Sequence, residues 1–121
     1  VEKLMKGHLF DIFSEPNANR RAHVIKEFWV PSSECLFLDR LGAFRGHDAI
    51  LDLIDGLRKS MDDLAFELTA PIEVLSPGAE SFQVARIKWA GGPKGELPMV
   101  FGEDVATVVE GKIKTMYAFV E

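Results

Sequence analysis

The sequence predicts an α+β fold, in which helices come first and an antiparallel sheet follows. Two observations predict this class. Through the first half of the chain apolar residues recur at helical spacing, and after about residue 64 they follow the alternating period of strands. The strand segments are joined by short turns, which favours an antiparallel meander because a parallel crossover needs many more residues.

Two helices are predicted before Pro31. The first ends before Pro16, and Asn17 or Asn19 can cap the second. The second helix ends before Pro31, because a residue that precedes proline disfavours helical geometry. The apolar positions are Leu4, Met5, Leu9, Ile12 and Phe13 in the first helix and Ala22, Ile25, Phe28 and Trp29 in the second.

A third and clearer helix is predicted after Gly46. Strand character begins before it, at 33–37, and Gly42 also interrupts the segment between. Acidic residues lead this helix and basic residues end it, as suits the helix dipole. Its apolar stripe is Ile50, Leu53, Ile54, Leu57 and Met61, and its polar face is Asp48, Asp52, Asp55, Arg58 and Lys59.

Four strand segments complete the chain. Turns that contain glycine separate them at 76–79, 91–95 and 110–111. The turn at 91–95 is interpreted as a hairpin loop rather than a phosphate-binding loop, because no helix follows it. The strands are predicted over 65–75, 81–90, 97–109 and 112–121.

The last two strands are apolar on both faces. An antiparallel sheet with one solvated face alternates apolar and polar residues, and these strands do not. One face must pack on the helices, and we expect the other to pack on a second copy of the chain, as a homodimer through the sheet. The two sets are Val100, Ala106 and Val108 against Met99, Phe101, Val105 and Val109, and then Ile113, Tyr117 and Phe119 against Met116, Ala118 and Val120.

Composition limits the classes of function. With 121 residues, 47% of them apolar and 27% charged, the chain fits one domain over residues 1–121 with a core of ordinary density. A net charge of −5 and a single basic doublet, Arg20-Arg21, predict no nucleic-acid binding. No apolar run approaches a membrane span, and the start does not resemble a signal peptide. Cys35 is the one cysteine, so no intramolecular disulfide is expected and a cytoplasmic location is predicted.

Short motifs carry a resemblance to a known family. They are LFDIF at 9–13, LFLDRLG at 36–42, GHDAI at 46–50, and GEDVA with EGKI at 102–106 and 110–113. In their order and spacing the chain resembles the nuclear transport factor 2-like superfamily, and within it the SnoaL-like branch. The resemblance implies a cone-shaped barrel, with N-terminal helices packed on a curved antiparallel sheet around a deep apolar pocket, and commonly a dimer through the sheet. It does not fix an activity, because members include ketosteroid isomerases, polyketide cyclases and proteins with no known chemistry.

Asp39 is the first candidate catalytic residue. Its strand-turn resembles the one that carries the catalytic aspartate of ketosteroid isomerases. Strand parity places it on the same side as Phe37, where apolar walls would raise its pKa and suit it to act as a general base beside a carbonyl. The alternative is an exposed turn aspartate that accepts backbone N–H groups before Gly42.

Asp104 is the second candidate. Its surroundings resemble the strand that carries the oxyanion-hole aspartate of the isomerases, in which an apolar site keeps the acid protonated. If Asp104 faces the pocket, apolar neighbours could hold it neutral as a hydrogen-bond donor. The alternative is a structural aspartate that pairs with Arg86 or Lys88 across the sheet.

A third isomerase element is missing from the sequence. The position that resembles its oxyanion-hole tyrosine falls on Leu9, and the one tyrosine, Tyr117, lies on the last strand. This departure argues against a ketosteroid isomerase proper. His8 is interpreted as a surface histidine rather than one that reaches the pocket mouth, His23 as solvated, and His47 as part of the cap of the third helix.

The sequence thus predicts a pocket for a small apolar ligand or substrate. Two functions fit it. The first is a cofactor-free isomerase or cyclase acting on a small hydrophobic carbonyl compound, in which Asp39 moves the proton and Asp104 stabilises the oxyanion; the second is a non-catalytic dimeric binding module. No cofactor is expected, and the histidines and Cys35 lack the spacing of a metal site. The predicted pocket residues, whose aromatic members could instead be core, are Trp29, Phe37, Ile54, Leu57, Met61, Trp89 and Val100.

Overall fold

The computed structural model describes residues 1–78 and 81–121, and helices followed by a sheet confirm the α+β class. Ala79, the last residue of the turn predicted at 76–79, lies outside the described residues. The helical elements are α1 (Glu2–Lys6), a π-helical segment (Gly7–Phe13), α2 (Ala18–Phe28), a 3₁₀ turn (Ser32–Glu34) and α3 (His47–Ser60). The strands are β1 (Leu36–Asp39), β2 (Gly42–Arg45), β3 (Leu64–Leu68), β4 (Glu73–Leu75), β5 (Phe82–Pro93), β6 (Val100–Val109) and β7 (Lys112–Val120).

The helix boundaries follow the predicted stop and start signals. Asn17 caps α2, because its Oδ1 accepts the N–H of Arg20 at 2.9 Å. The backbone turns extended at Trp29, before Pro31. The first helix differs from expectation, since the chain takes π-helical spacing from Gly7 onward. Its last hydrogen bond joins the N–H of Ser14 to the carbonyl five residues earlier, a pattern that is frequent at functional sites.

The sheet is mixed rather than purely antiparallel. Its strands lie in the order β2-β1-β7-β6-β5-β3, with β4 also paired to β5, and β1 runs parallel to β7. The parallel pair joins strands that lie far apart in sequence, so short-turn reasoning could not find it. The strand predicted over 65–75 is divided into β3 and β4. Pro71 lies in the break, where it cannot donate to a strand ladder.

A bulge between β6 and β7 corrects the predicted faces of the last strand. Val108 lies opposite Ile113, whereas Thr107 lies opposite Thr115, so Lys114 is an additional residue in β7. Both Ile113 and Met116 are therefore fully buried on the helix-covered face, although simple alternation places them on opposite faces. A local register shift of this kind leaves no periodic signal in the sequence.

The core lies between the helices and one face of the sheet, and Arg58 closes one end of it. The sequence pattern places Arg58 on the polar face of α3, but in the structure only 9% of it is exposed. Its guanidinium donates to the carbonyl oxygens of Phe13 at 3.3 Å, Leu64 at 2.8 Å and Asp62 at 2.7 Å. One side chain thus ties the end of the π-helical segment to the start of β3.

Candidate functional site

A cavity of about 170 Å³ lies between the π-helical segment, the turn that joins β1 to β2, and the covered face of the sheet. Its mouth is formed by the exposed residues Arg40 and Leu41. Two carboxyl groups, those of Asp39 and Asp104, contribute to an otherwise mainly apolar lining. The apolar lining residues are Leu9, Phe13, Phe37, Leu41, Leu57, Leu64, Phe66, Trp89, Val100, Ala118 and Val120.

Asp104 is the buried acid of the site. It lies on β6 between Ile87 and Ala118 of the neighbouring strands, and 4% of it is exposed. Its Oδ1 accepts the indole N–H of Trp89 at 2.9 Å. Burial raises the pKa of the Asp104 carboxyl to about 7, the Trp89 hydrogen bond opposes that rise in pKa, and the negative charge of Asp39 adds to it. Asp104 can therefore be protonated or ionised near neutral pH.

Gly102 allows Trp89 to reach Asp104. The two residues are directly opposite each other on β5 and β6. A Cβ at Gly102 would overlap Cζ2 of Trp89 and would lie 2.8 Å from the carbonyl oxygen of Phe119. Because the second contact is with backbone, the crowding cannot be relieved by a side chain alone. The glycine therefore permits the indole to lie across β6 with its N–H on the carboxyl group.

His8 is buried close to Asp104, although it is not among the residues that line the cavity, and its interpretation as a surface histidine is wrong. Only 1% of it is exposed, and its ring lies 4.8 Å from that of Phe13, 5.8 Å from Trp29 and 6.2 Å from Phe37. Burial lowers the pKa of the His8 imidazole to about 3, so the ring is neutral at pH 7. A signal was present in the sequence, because helical spacing puts position 8 inside the apolar stripe.

The imidazole of His8 has unused hydrogen-bonding capacity. Its Nδ1 has no partner among residues 1–78 and 81–121. Its Nε2 lies 3.9 Å from Oδ2 of Asp104, which is too long for a hydrogen bond. A gap therefore separates two buried polar groups that face each other.

Asp39 combines features of both interpretations made from the sequence. It is half-buried and lines the cavity on the same side as Phe37. Its Oδ1 also accepts the N–H of Leu41 at 2.7 Å, as expected of a turn aspartate. The structure thus brings Asp39 and Asp104 to one cavity, with Asp39 at the mouth.

The alternative pairing of Asp104 with Arg86 or Lys88 is wrong. Arg86 and Lys88 point to the other face of the sheet, since Ile87 and Trp89 of the same strand are buried on the cavity side. Arg86 pairs there with Glu73 at 3.0 Å and with Glu103 at 3.4 Å. In the part of the chain that the structure describes, no lysine or arginine lies within salt-bridge distance of Asp104.

Four of the predicted pocket residues line the cavity and three do not. Phe37, Leu57, Trp89 and Val100 line it. The other three residues do not contact the cavity, because two of them point into the core and the third lies past the end of a helix. Those outside the lining are Trp29 and Ile54, which are almost completely buried, and Met61, which follows the end of α3.

Other kinds of site find little support in the described residues. Among residues 1–78 and 81–121, no group of three or more His, Cys, Asp or Glu side chains could hold a metal ion. No helix in the same part of the chain is both long enough and apolar enough to cross a membrane.

No protein-family model matches the sequence, and no curated protein matches it either. Solved structures do match. A provisionally assigned isomerase of the SnoaL-like family from Agrobacterium tumefaciens str. C58 is 21% identical, with a TM-score of 0.82 over 99% of this chain and 96% of that one. A nuclear transport factor 2-like superfamily protein from Salmonella enterica serovar Typhimurium str. LT2 is 17% identical, with a TM-score of 0.72 over 96% and 84%.

A third similar structure is a provisionally assigned SnoaL-like polyketide cyclase from Jannaschia sp. CCS1. It is 14% identical, with a TM-score of 0.67 over 99% of this chain and 83% of that one. Identities this low establish the fold, and activity has to be argued from the site. The helices, the curved sheet and these neighbours together show that the chain has the nuclear transport factor 2-like fold of the SnoaL-like proteins.

Proposed function

We propose that the protein binds a small neutral carbonyl compound in this cavity and moves a proton on it without a cofactor. The observation that carries the proposal is Asp104, a buried carboxyl group in a mainly apolar cavity with no Lys or Arg partner among the described residues. Buried acids with a strongly raised pKa are typical of functional sites. Three solved proteins of the same fold carry provisional isomerase or polyketide cyclase assignments, which agrees with this class of chemistry.

Asp104 and Asp39 have different roles in the proposed reaction. In its protonated form, Asp104 donates a hydrogen bond to the carbonyl oxygen of the ligand and stabilises negative charge that develops there. The Asp39 carboxylate removes a proton from the carbon next to the carbonyl, which leaves an enol or enolate. In a ligand with a neighbouring carbon–carbon double bond, return of that proton from Asp39 to the far carbon of the dienolate completes an isomerisation. Attack of the enolate carbon on a second carbonyl group of the ligand forms a carbon–carbon bond and an alkoxide, and the alkoxide takes the proton back from Asp39 to complete a cyclisation.

The cavity volume limits the ligand to about one ring. An apolar cavity of about 150 Å³ holds benzene, and the volume here is about 170 Å³. A fused four-ring compound of steroid size does not fit that space. Four aromatic side chains in the lining favour a flat, apolar molecule.

Proton exchange on cyclohexanone tests the proposal. In D₂O, we expect the wild-type protein to accelerate exchange of the protons next to the carbonyl, followed by ¹H NMR. Asp39→Asn keeps an oxygen for the Leu41 N–H and removes the base, so the enhancement falls about a hundredfold. Glu67→Gln, at an exposed residue of β3 whose charge is not among those that shift the pKa of Asp104, is the matched control and leaves the rate unchanged.

The second candidate is a non-catalytic binding module. It is favoured by the use of Asp39 Oδ1 in the turn, which restrains the carboxylate. Cyclohexanone that binds to the wild-type protein but exchanges its protons only at the rate seen without protein would select this candidate and reject the catalytic one.

We also propose that the protein is a homodimer through the outer face of the sheet. Large apolar side chains remain uncovered there on neighbouring strands, with 39% of Leu38, 45% of Phe101 and 65% of Phe119 exposed. Contiguous apolar patches of this kind mark interaction surfaces. A second copy is the natural partner because Arg86 and Glu103 on the same face supply charges of both signs for a self-complementary contact.

A further inference from the structure

We infer that His8 and Asp104 form a clamp for one ligand oxygen, and that the protonation state of Asp104 determines whether the clamp prefers a carbonyl or a hydroxyl oxygen. The inference rests on the proposed function, because it concerns the same cavity, and it adds a residue and a ligand preference to it.

One oxygen atom beside the two groups can hydrogen-bond to both of them. His8 Nε2 and Asp104 Oδ2 are 3.9 Å apart, so they do not bond to each other. An oxygen atom placed to one side of the line between them can lie roughly 2.8 Å from both, which is hydrogen-bond distance. Asp104 lines the cavity, and His8 Nε2 lies next to it although His8 is not itself a lining residue. Buried polar groups normally have partners, so these two groups without a mutual hydrogen bond point to a ligand or a water oxygen that enters from the cavity beside Asp104.

The surroundings of His8 determine which ring nitrogen carries the proton. Nδ1 is buried and has no partner in the described part of the chain. A buried N–H without an acceptor is rarer than a buried acceptor without a donor, so the hydrogen belongs on Nε2. The aromatic rings of Phe13, Trp29 and Phe37 pack around the imidazole. His8 therefore presents an N–H donor to the gap.

Asp104 can change its role at the gap, whereas His8 cannot. Because Oδ1 accepts the N–H of Trp89, the acid proton belongs on Oδ2, which faces the gap. When Asp104 is protonated, two donors converge on the oxygen, as a carbonyl requires. When Asp104 is ionised, one donor and one acceptor remain, as a hydroxyl requires.

The charged and titratable groups around Asp104 are few. His8 faces it from the π-helical segment, and Asp39 and Arg40 share the cavity from the turn after β1. Glu103 adjoins it on β6, and the cavity residues of β7 and α3 are apolar. Asp39 and Glu103 raise the pKa of Asp104 in addition to burial, which brings the switch near pH 7.

Cyclohexanone and cyclohexanol form a matched pair of probes, because they differ mainly in the oxygen group. We expect binding measured by ligand-observed NMR to weaken for the ketone about tenfold as pH rises from about 6 to about 8.5. Binding of the alcohol stays constant or tightens over the same range. Asp104→Asn has no acid to titrate, so its ketone affinity is independent of pH.

Variants at position 8 test whether the imidazole of His8 donates a hydrogen bond to the ligand oxygen. His8→Phe removes the donor and weakens ketone binding about fivefold. It also moves the ¹³C resonance of bound [carbonyl-¹³C]cyclohexanone upfield, an effect that a purely structural role does not produce. His8→Gln keeps an N–H near the Nε2 position, so its ketone affinity and its ¹³C shift should lie between those of His8→Phe and wild type. His23→Phe, at an exposed histidine, is the matched control.

The outcomes separate this inference from the proposed function. Failure of both probes to bind the wild-type protein would overturn both. Ketone binding that depends on Asp104 but gives the same affinity and the same ¹³C shift in His8→Phe would overturn the clamp alone. Identical pH profiles for ketone and alcohol would overturn the predicted switch in preference.

Discussion

At the scale of single residues, the most informative feature is a pair of buried titratable groups whose pKa values are displaced in opposite directions. Burial disfavours the charged form of each, which lowers the pKa of His8 from 6.5 to about 3 and raises that of Asp104 from 3.8 to about 7. Both groups are neutral in mildly acidic solution. Because both side chains are neutral there, His8 and Asp104 can stay buried beside an apolar cavity without forming an ion pair.

These two pKa displacements affect stability with opposite signs. Between about pH 3 and 6.5 the unfolded chain binds the His8 proton and the folded chain does not, so the His8 contribution to stability falls as pH falls. Between about pH 4 and 7 the folded chain holds the Asp104 proton and the unfolded chain does not, so that contribution falls as pH rises. Over most of the pH range that the two groups share, their opposite contributions to the pH dependence of stability cancel.

Single substitutions should reveal each effect. Relative to wild type, we expect His8→Phe to gain stability as pH is lowered from 6.5 toward 3, by up to about 5 kcal/mol. Asp104→Asn should gain stability relative to wild type as pH is raised from 4 to 7, by up to about 4 kcal/mol. Urea unfolding at several pH values measures both. Differences from wild type that do not change with pH would show that neither group is held neutral by burial.

At the scale of elements, the site depends on how closely β5 and β6 approach at Gly102. We expect Gly102→Ala to destabilise the fold by about 1–3 kcal/mol, because the new methyl group overlaps Trp89 and the backbone of Phe119. Displacement of Trp89 also removes a hydrogen bond that lowers the pKa of Asp104, so that pKa rises further. Urea unfolding and ¹³C NMR titration of the carboxyl group measure the two effects.

Gly56→Ala is the matched control for that substitution. Gly56 lies on the exposed side of α3, where an added Cβ meets nothing within 4 Å among the described residues. Because alanine is a better helix former, the control should gain about 0.5–1 kcal/mol of stability and leave the pKa of Asp104 unchanged. An equal loss of stability in both variants would contradict the close-approach argument.

Arg58 gives a second prediction at the scale of elements. Arg58→Met removes the donor that serves three backbone carbonyl groups and leaves those carbonyl groups short of partners. We expect a loss of about 3 kcal/mol in urea unfolding. Lys59→Met changes the neighbouring exposed residue and should shift stability by less than about 0.5 kcal/mol. Comparable losses in the two variants would argue against the role assigned to Arg58.

At the scale of the whole molecule, the outer face of the sheet should control assembly. We expect the wild-type protein to sediment as a dimer and Phe119→Asp to sediment as a monomer, because a buried, unpaired carboxylate opposes association. Phe10→Asp, on the helical layer, is the matched control and should leave the dimer intact. Circular dichroism verifies that both variants are folded. A wild-type monomer at micromolar concentration would contradict the dimer.

The class and the order of the elements follow from patterns in the sequence alone. The helical spacing that led to α2 and α3, the cap at Asn17 and the alternation in β5 and β6 are local patterns, because each is set by residues a few positions apart. The placement of Asp39 on the side of Phe37 followed from the period of a strand in the same way. The resemblance to SnoaL-like proteins added the sheet that curves around a pocket.

Contacts between distant segments could not be predicted from those local patterns. The parallel pairing of β1 with β7, the bulge before Thr115 and the burial of Arg58 each depend on partners far away in sequence. The same holds for the site: His8 and Asp104 are 96 positions apart in the printed sequence, and nothing local brings their side chains together. Local periodicity records which face of an element is buried, whereas the neighbour that buries it is chosen by packing across the whole chain.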